Sequence, residues 1–353
     1  MVLLKQEQEL SKAICNSLFR ILRSSAFGQK IKKAVRNNVC LRPIYNLSVQ
    51  RLIDYRHPLT FNIEPTNACN LNCIMCPRNE SKRAVGFIDF ALFKKIVDES
   101  RPYGARHFVL HKDGEPLLHP RIVDMVSYIK QAEPGNTAYI STNGLLLDQE
   151  KVAGLMDAGL DQLHISIGAA SAETYKKVRG GNLKAVEENI KTALLIKNSK
   201  NLKKPVITLQ IIKMQETMEE IEAFIDKWKS YEVEFSVPSY LNWGGVRHDS
   251  TLETQKMRER YPCHALWLSP SINWDGGVSI CCVDWNAEEL LGNVKETSLA
   301  LLWQGEKIKT YRRYHLTGQY SKIPICANCN YWQETPNFWF PWQYKRNNGK
   351  TQD

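Results

Sequence analysis

The chain has 353 residues, 43% hydrophobic and 24% charged, with a formal net charge of +10. That is ample apolar material for one large domain and a smaller one. No run reaches the roughly 18 apolar residues of a membrane-spanning helix, and no charged segment leads into an apolar stretch and a small-residue cleavage site, so the cytoplasm is the expected compartment. Residues 1–58 read as a basic amphipathic helical segment: Leu10, Ile14, Leu18, Ile21 and Leu22 recur at helical spacing among Lys12, Arg20, Arg23, Lys30, Lys32 and Lys33. Either it attaches peripherally to a membrane or a partner, or it packs its apolar stripe across the next domain with Lys and Arg as solvated rim. Residues 59–238 alternate strands with helices. The strands are expected at Leu59–Ile63, His107–Leu110, Ala138–Ser141, Gln162–Ile167, Val206–Ile212 and Val233–Val237. Helices are expected near 90–101, 119–132, 148–158, 182–198 and 217–229, with Asp148 and Thr217 among their caps. The pattern predicts an α/β fold, a partial TIM-like (β/α)6 barrel open on one side. Residues 239–345 then turn rich in Trp, Gly and Cys, with an Asp-Gly turn within 273–278; they form a small cysteine-rich domain that can cover the opening. Residues 346–353 are a polar, frayed tail.

Seven of the ten cysteines fall in ligand-like spacings, which in an intracellular enzyme favours metal over disulfides. Cys69, Cys73 and Cys76 form C-x3-C-x2-C on a loop after the first strand, where barrel enzymes place their chemistry. Three thiolates suit a [4Fe–4S] cluster with one iron left open, whereas structural zinc wants four protein ligands. A second set comprises Cys263, Cys281, and Cys326 with Cys329 as Cys-x-x-Cys. Four thiolates can close a site, as an iron–sulfur centre or as a zinc ribbon.

The cysteine loop, with the motifs that follow it over 59–238, resembles the radical S-adenosylmethionine (radical SAM) family. The resemblance implies S-adenosylmethionine (SAM) bound at the open iron, cleaved by an external one-electron reductant of flavodoxin or ferredoxin type to a 5′-deoxyadenosyl radical. It assigns SAM contacts to Met75 beside the adenine, to Asp113, Gly114 and Glu115 at the methionine amino group, and to Arg179 at its carboxylate. Ser141, Asn143 and Ser166 match ribose and methionine positions, and Gln210 adds a polar contact. Asp113 stands where the family has glycine. Gly168 stands where relatives often carry aspartate and is given no role.

Residues 239–345 look like the family's SPASM and shorter twitch domains, including the linker Leu291–Leu299 with Trp303 beyond. No cysteine follows Cys329, and Thr335 occupies the position of a further ligand, so one auxiliary [4Fe–4S] cluster is expected, making two clusters in all. Cys282, the spare thiol, is a candidate hydrogen donor, a buried small hydrophobe, or a ligand exchanged with Cys281. His111 is a candidate substrate contact. Tyr331, Trp332, Phe338, Trp339, Phe340 and Trp342 pack a core, lid the barrel or meet a partner; Cys15 and Cys40 stand apart as inert. Relatives with one auxiliary cluster suggest dehydrogenation or epimerisation of a small polar substrate, sugar or aminocyclitol-like. Modification of a ribosomally made peptide is the alternative. Nucleic-acid modification comes third: the charge concentrates in one helix, and no RNA-binding module is visible.

Overall fold

In the computed structural model, residues 57–252, 260 and 262–334 are described, and those from 58 onward belong to one unit. The expected N-terminal helix, Cys15, Cys40, the aromatics at 338–342 and the C-terminal tail lie outside the described residues.

Six strands form in chain order: β1 (Thr60–Ile63), β2 (His107–Leu110), β3 (Thr137–Thr142), β4 (Gln162–Ser166), β5 (Val206–Gln210) and β6 (Glu234–Ser236). Each pairs parallel with the next, in register from Thr60↔His107 through Gln210↔Ser236. Between them run α1 (Phe90–Ser100), α2 (Ile122–Ala132), α3 (Gln149–Asp157), α4 (Ala172–Arg179), α5 (Leu183–Ser199) and α6 (Ile221–Trp228). Asp89 and Asp148 open α1 and α3 by accepting the Leu92 and Lys151 amides at 3.0 and 2.8 Å. Thr217 does not cap α6. Its buried hydroxyl turns back to the Ile212 and Met214 carbonyls, and a 3-10 turn, Met218–Glu220, leads into the helix. Helix α4 was not foreseen: its eight residues are mostly polar, and only Tyr175, Val178 and Arg179 are buried. It forms because Ser171 caps it and Gly180, at φ 78°, ends it.

The strands alternate between two environments, as their two-residue period requires. Phe61, Ile63, Phe108, Leu110, Ala138, Ile140, Leu163, Ile165, Ile207 and Leu209 are sealed against the helices. The opposite face carries Asn62, His107, Tyr139, His164, Ser166, Thr208 and Gln210, all half-buried. So the apolar half drives burial at about 1.5–3 kcal/mol per large side chain, while the inner face of the barrel stays polar.

The C-terminal region extends this sheet. Strand β7 (Ser271–Ile272) pairs parallel with β1, and β8 (Gly277–Ser279) and β9 (Leu290–Asn293) follow antiparallel, giving the order β6-β5-β4-β3-β2-β1-β7-β8-β9. The expected turn joins β7 to β8: Gly276, at φ 91°, donates its N–H to the Asn273 carbonyl at 2.9 Å. Helices α7 (Ala265–Leu268), α8 (Leu299–Trp303), α9 (Glu306–Leu316) and α10 (Pro324–Ala327) complete the described chain. No described helix is long and apolar enough to cross a membrane.

Candidate functional site

The loop after β1 is fixed from three sides. Asn67 donates to the Ala84 carbonyl and accepts from the Gly86 amide, both at 2.9 Å. Ile74 N–H reaches the Val178 carbonyl at 3.0 Å, docking the second half of the loop on α4. Arg78 holds the Leu71 carbonyl at 3.1 Å. Burial first, then the charge of neighbouring groups, pushes the Cys69 thiol up and the Cys76 thiol to about 11. Thiols held in that state are relieved by a cation, since a metal takes them as thiolates. Arg179 Nη1 lies 3.4 Å from Cys73 Sγ, while its buried Nε and Nη2 have no hydrogen-bond partner among the described residues. A guanidinium edge left free in a dry site fits a carboxylate. Gly168, at φ 82°, makes room for it: a Cβ there would stand 2.7 Å from Arg179 Nε.

The Asp113-Gly114-Glu115 turn lies directly on the cysteine loop. A Cβ on Gly114 would fall 2.2 Å from the Thr66 carbonyl oxygen and 2.5 Å from that of Ala68, so only glycine permits this approach. Glu115 N–H donates to the Ala68 carbonyl at 2.8 Å. Its buried carboxylate accepts from Thr142 Oγ1, Asn143 N–H and Leu117 N–H at 2.7, 2.8 and 3.0 Å. Asn143 is tied to the same loop through Asn70 at 2.7 Å. Ser166 and Gln210 meet at 2.8 Å. Ser141 pairs with His164 on β4, and Met75 is buried against Val178, Met214 and Tyr240. These expected SAM contacts therefore converge on one end of the barrel.

Asp113 does more than fill a glycine position. Its carboxylate meets Lys112 at 2.6 Å and Arg83 at 3.2 Å, and Arg83 forks onto Glu64. Burial pushes Asp113 up to about 7, with Lys112 pulling against it and Glu64 adding to it. Lys112 also donates to the Asp284 carbonyl at 2.9 Å, which joins the barrel to the C-terminal region. The sequence reading missed this quartet; Glu64, Lys112 and Arg83 carry no motif, and only their burial reveals them. His111, next to Lys112, has a buried Nδ1 without a partner, and burial pushes the ring down to about 4.

Cys263, Cys281, Cys326 and Cys329 line one pocket with Arg260, His315, Tyr331 and Trp332. Burial and the neighbouring thiols push all but Cys329 up, Cys263 to about 12; burial alone raises Cys329. Among the described residues, no three His, Cys, Asp or Glu side chains close around a single ion; the four thiols surround a shared space, which fits a multi-iron cluster. Cys282 is not on that pocket. Its sulfur meets the Tyr331 hydroxyl and lies in the field of Lys112 and Asp113. Trp332 is buried.

The stretch 240–247 touches both centres. Tyr240 packs on Met75, Arg247 Nη2 donates to the Cys76 carbonyl at 2.9 Å, and Asn242 and Asn330 exchange backbone-to-side-chain hydrogen bonds at 3.0 and 3.2 Å. Asn330 Nδ2 closes the tie on the Tyr240 carbonyl at 2.7 Å.

This geometry belongs to a known class. The sequence profile of the radical SAM superfamily matches residues 63–227, and that of the SPASM iron–sulfur cluster-binding domain matches residues 263–330. The chain is a radical SAM enzyme with a SPASM domain, and its cofactors are SAM, a [4Fe–4S] cluster and auxiliary iron–sulfur. Among individual relatives, it is 25% identical over 311 residues to the tungsten-containing aldehyde ferredoxin oxidoreductase cofactor-modifying protein of Pyrococcus furiosus, covering 76% of this chain and 86% of that one. It is 32% identical over 191 residues to the GTP 3′,8-cyclase of Limosilactobacillus fermentum, about half of each chain at 52% and 53%. Among solved structures, BtrN in complex with AdoMet and 2-DOIA matches with a TM-score of 0.54 at 19% identity, covering 78% of this chain and 93% of that one. Streptococcus suis SuiB bound to precursor peptide SuiA matches with a TM-score of 0.61 at 15% identity, covering 83% and 74%. At these identities the structural likeness establishes the fold.

Proposed function

We propose that this enzyme removes a hydrogen atom from a small polar substrate, sugar or aminocyclitol-like, held on the inner face of the barrel, and inverts the carbon by returning a hydrogen from Cys282. The observation that carries the reading is the Cys282 thiol, hydrogen-bonded to Tyr331 and in the field of Lys112 and Asp113, which belong to the barrel, as well as of Cys329. Cys69, Cys73 and Cys76 would hold the SAM-binding cluster, Arg179 and the 113–115 turn would orient SAM, and the remaining four cysteines would hold one auxiliary cluster. When bound, cluster and SAM supply hydrogen abstraction from an unactivated C–H bond. The chain's own residues do the rest. Asn62, Tyr139, His164 and Thr208 offer neutral donors and acceptors, which suit hydroxyl and amino groups. His111, just past β2, is held neutral by burial. Cys282 breaks its S–H bond as the substrate carbon gains that hydrogen; the sulfur radical regains one electron from a ferredoxin- or flavodoxin-type donor and one proton.

The fold shared with BtrN, solved with 2-DOIA, supports a small substrate; the fold shared with SuiB, solved with a precursor peptide, supports the peptide alternative. The test uses anaerobically reconstituted protein with reductant and SAM, following 5′-deoxyadenosine against panels of polyols, aminocyclitols and peptides, in D2O. A polyol or aminocyclitol that gains one solvent deuterium at an inverted carbon, with turnover lost in Cys282→Ala, is the expected result. Oxidised product without deuterium would replace epimerisation by dehydrogenation, and response to peptides alone would overturn the small-substrate reading.

A further inference from the structure

His315, on α9, is completely buried beside the second cysteine set and has no role in the reading above. Its Nδ1 accepts the backbone N–H of Cys263 at 3.1 Å. A nitrogen that accepts carries no proton, so the ring is the neutral tautomer with its proton on Nε2. That Nε2 is buried and, among the described residues, has no hydrogen-bond partner. The ring is 0% exposed and stands edge-on to Tyr320 at 5.1 Å, which fixes its plane. It lines the same pocket as Cys263, Cys281, Cys326 and Cys329. A buried N–H left without an acceptor is costly, and a chain rarely keeps that cost unless a missing group satisfies the donor.

We propose that His315 is a hydrogen-bond donor to the auxiliary centre, its Nε2–H directed at a sulfur of the group that the four cysteines hold, and that this bond sets how readily the centre accepts an electron. The proposal rests on the reading that those cysteines carry an iron–sulfur cluster. A reduced cluster carries one more negative charge than an oxidised one, so a fixed donor in a dry pocket stabilises the reduced form more and raises the potential. Arg260 adds fixed positive charge from the same wall: its two terminal nitrogens hold the Cys326 and Ala327 carbonyls, and its Nε has no hydrogen-bond partner among the described residues. The histidine is distinguished by its tie to a ligand's own backbone, which couples ring position to the position of Cys263. His315 is thus a positioning and tuning residue that touches no substrate.

Two substitutions separate its halves. His315→Asn keeps an acceptor near the Nδ1 position and loses the Nε2 donor; His315→Gln places an amide N–H near Nε2. Both are made in a full-length Cys69/Cys73/Cys76 triple alanine background, so that iron remains only at the auxiliary site, and the centre is titrated potentiometrically with its EPR signal as readout. The expected result is about four irons per chain, a reduced-to-oxidised ratio at fixed potential about tenfold lower for His315→Asn, equivalent to about 59 mV for a one-electron couple, and His315→Gln close to the parent. In parallel, wild-type holoprotein carrying 15N-histidine should show a nitrogen hyperfine coupling in the auxiliary signal. Unchanged midpoints with iron intact, or no coupling, would overturn the donor role while leaving the cluster standing. Absence of iron in the triple variant itself would overturn the cluster reading and this proposal with it. If both His315 variants lose iron, the wild-type coupling decides alone: present supports the bond, absent refutes it.

Discussion

Replacing Gly114 by alanine tests whether the cofactor turn is built on contact with the cysteine loop. The new Cβ would stand 2.2 Å from the Thr66 carbonyl oxygen and 2.5 Å from that of Ala68, so the two segments must separate by roughly 0.8 Å to reach even the 3.0 Å limit. Both obstacles are backbone, which cannot swing aside as a side chain can. The separation stretches the 2.8 Å bond from Glu115 N–H to the Ala68 carbonyl beyond hydrogen-bonding range. Overpacking of this kind costs about 1–3 kcal/mol and the lost bond about 1 kcal/mol more. At about 2 °C per kcal/mol for a chain this large, the melting temperature of the reconstituted protein should fall by about 4–8 °C. SAM affinity, measured calorimetrically, should fall at least tenfold. Gly154→Ala on α3 is the control: its nearest neighbour is a Val123 methyl at 3.3 Å, and helical alanine outranks glycine by up to about 1 kcal/mol. Wild-type melting and wild-type SAM affinity in Gly114→Ala would refute the argument.

Arg179→Lys keeps the charge but loses the planar fork, and should weaken SAM binding by at least tenfold, about 1.4 kcal/mol; Gly168→Ala should do the same by pushing into Arg179, and equal affinities in calorimetry would remove both from the cofactor site. Burial works against the Asp161 charge, yet Lys130 at 2.8 Å, Lys204 and the Ala138 amide hold its carboxyl below the usual range. A lowered folded pKa contributes stability present above the unfolded value of 3.8 and lost as pH falls through the folded one. Asp161→Asn should therefore cost about 2 kcal/mol in urea titrations at pH 7 and progressively less below pH 4; a constant difference would contradict the ion-pair account. Asn330→Ala removes the side-chain bonds to the Asn242 N–H and the Tyr240 carbonyl, keeping only the backbone bond to Asn242, and should speed loss of auxiliary iron to a chelator while leaving iron at Cys69, Cys73 and Cys76 in place, as counted per site by EPR.

Much of the barrel was legible because its signals are local. Six strands and five helices fell within a few residues of expectation, since an apolar face at period two or 3.6 is written in neighbouring residues. The cysteine sets were legible because spacing is chemistry. Three features were not. Helix α4 hides in a polar octapeptide whose only buried contacts are Tyr175, Val178 and Arg179. The quartet of Glu64, Arg83, Asp113 and Lys112 joins β1, β2 and the 77–88 segment, and long-range charge pairing leaves no trace in any one window. Reading Asp113 as a misplaced glycine missed that the position had become a carboxylate anchored by two cations. The assignment of Cys281 rather than Cys282 to the ligand set rested on spacing alone.

The strap formed by residues 240–247 gives the chain a thermodynamic property. Met75 packs on its Tyr240 and the Cys76 carbonyl accepts from its Arg247, while Asn328 and Asn330 are bonded to its Asn242 and Tyr240. A shift of the strap away from Met75 and Cys76 would strain its hydrogen bonds to Asn328 and Asn330, and a shift at those residues would be passed back. Such coupling is reciprocal. Whatever displaces the strap at one cysteine set is therefore felt at the other.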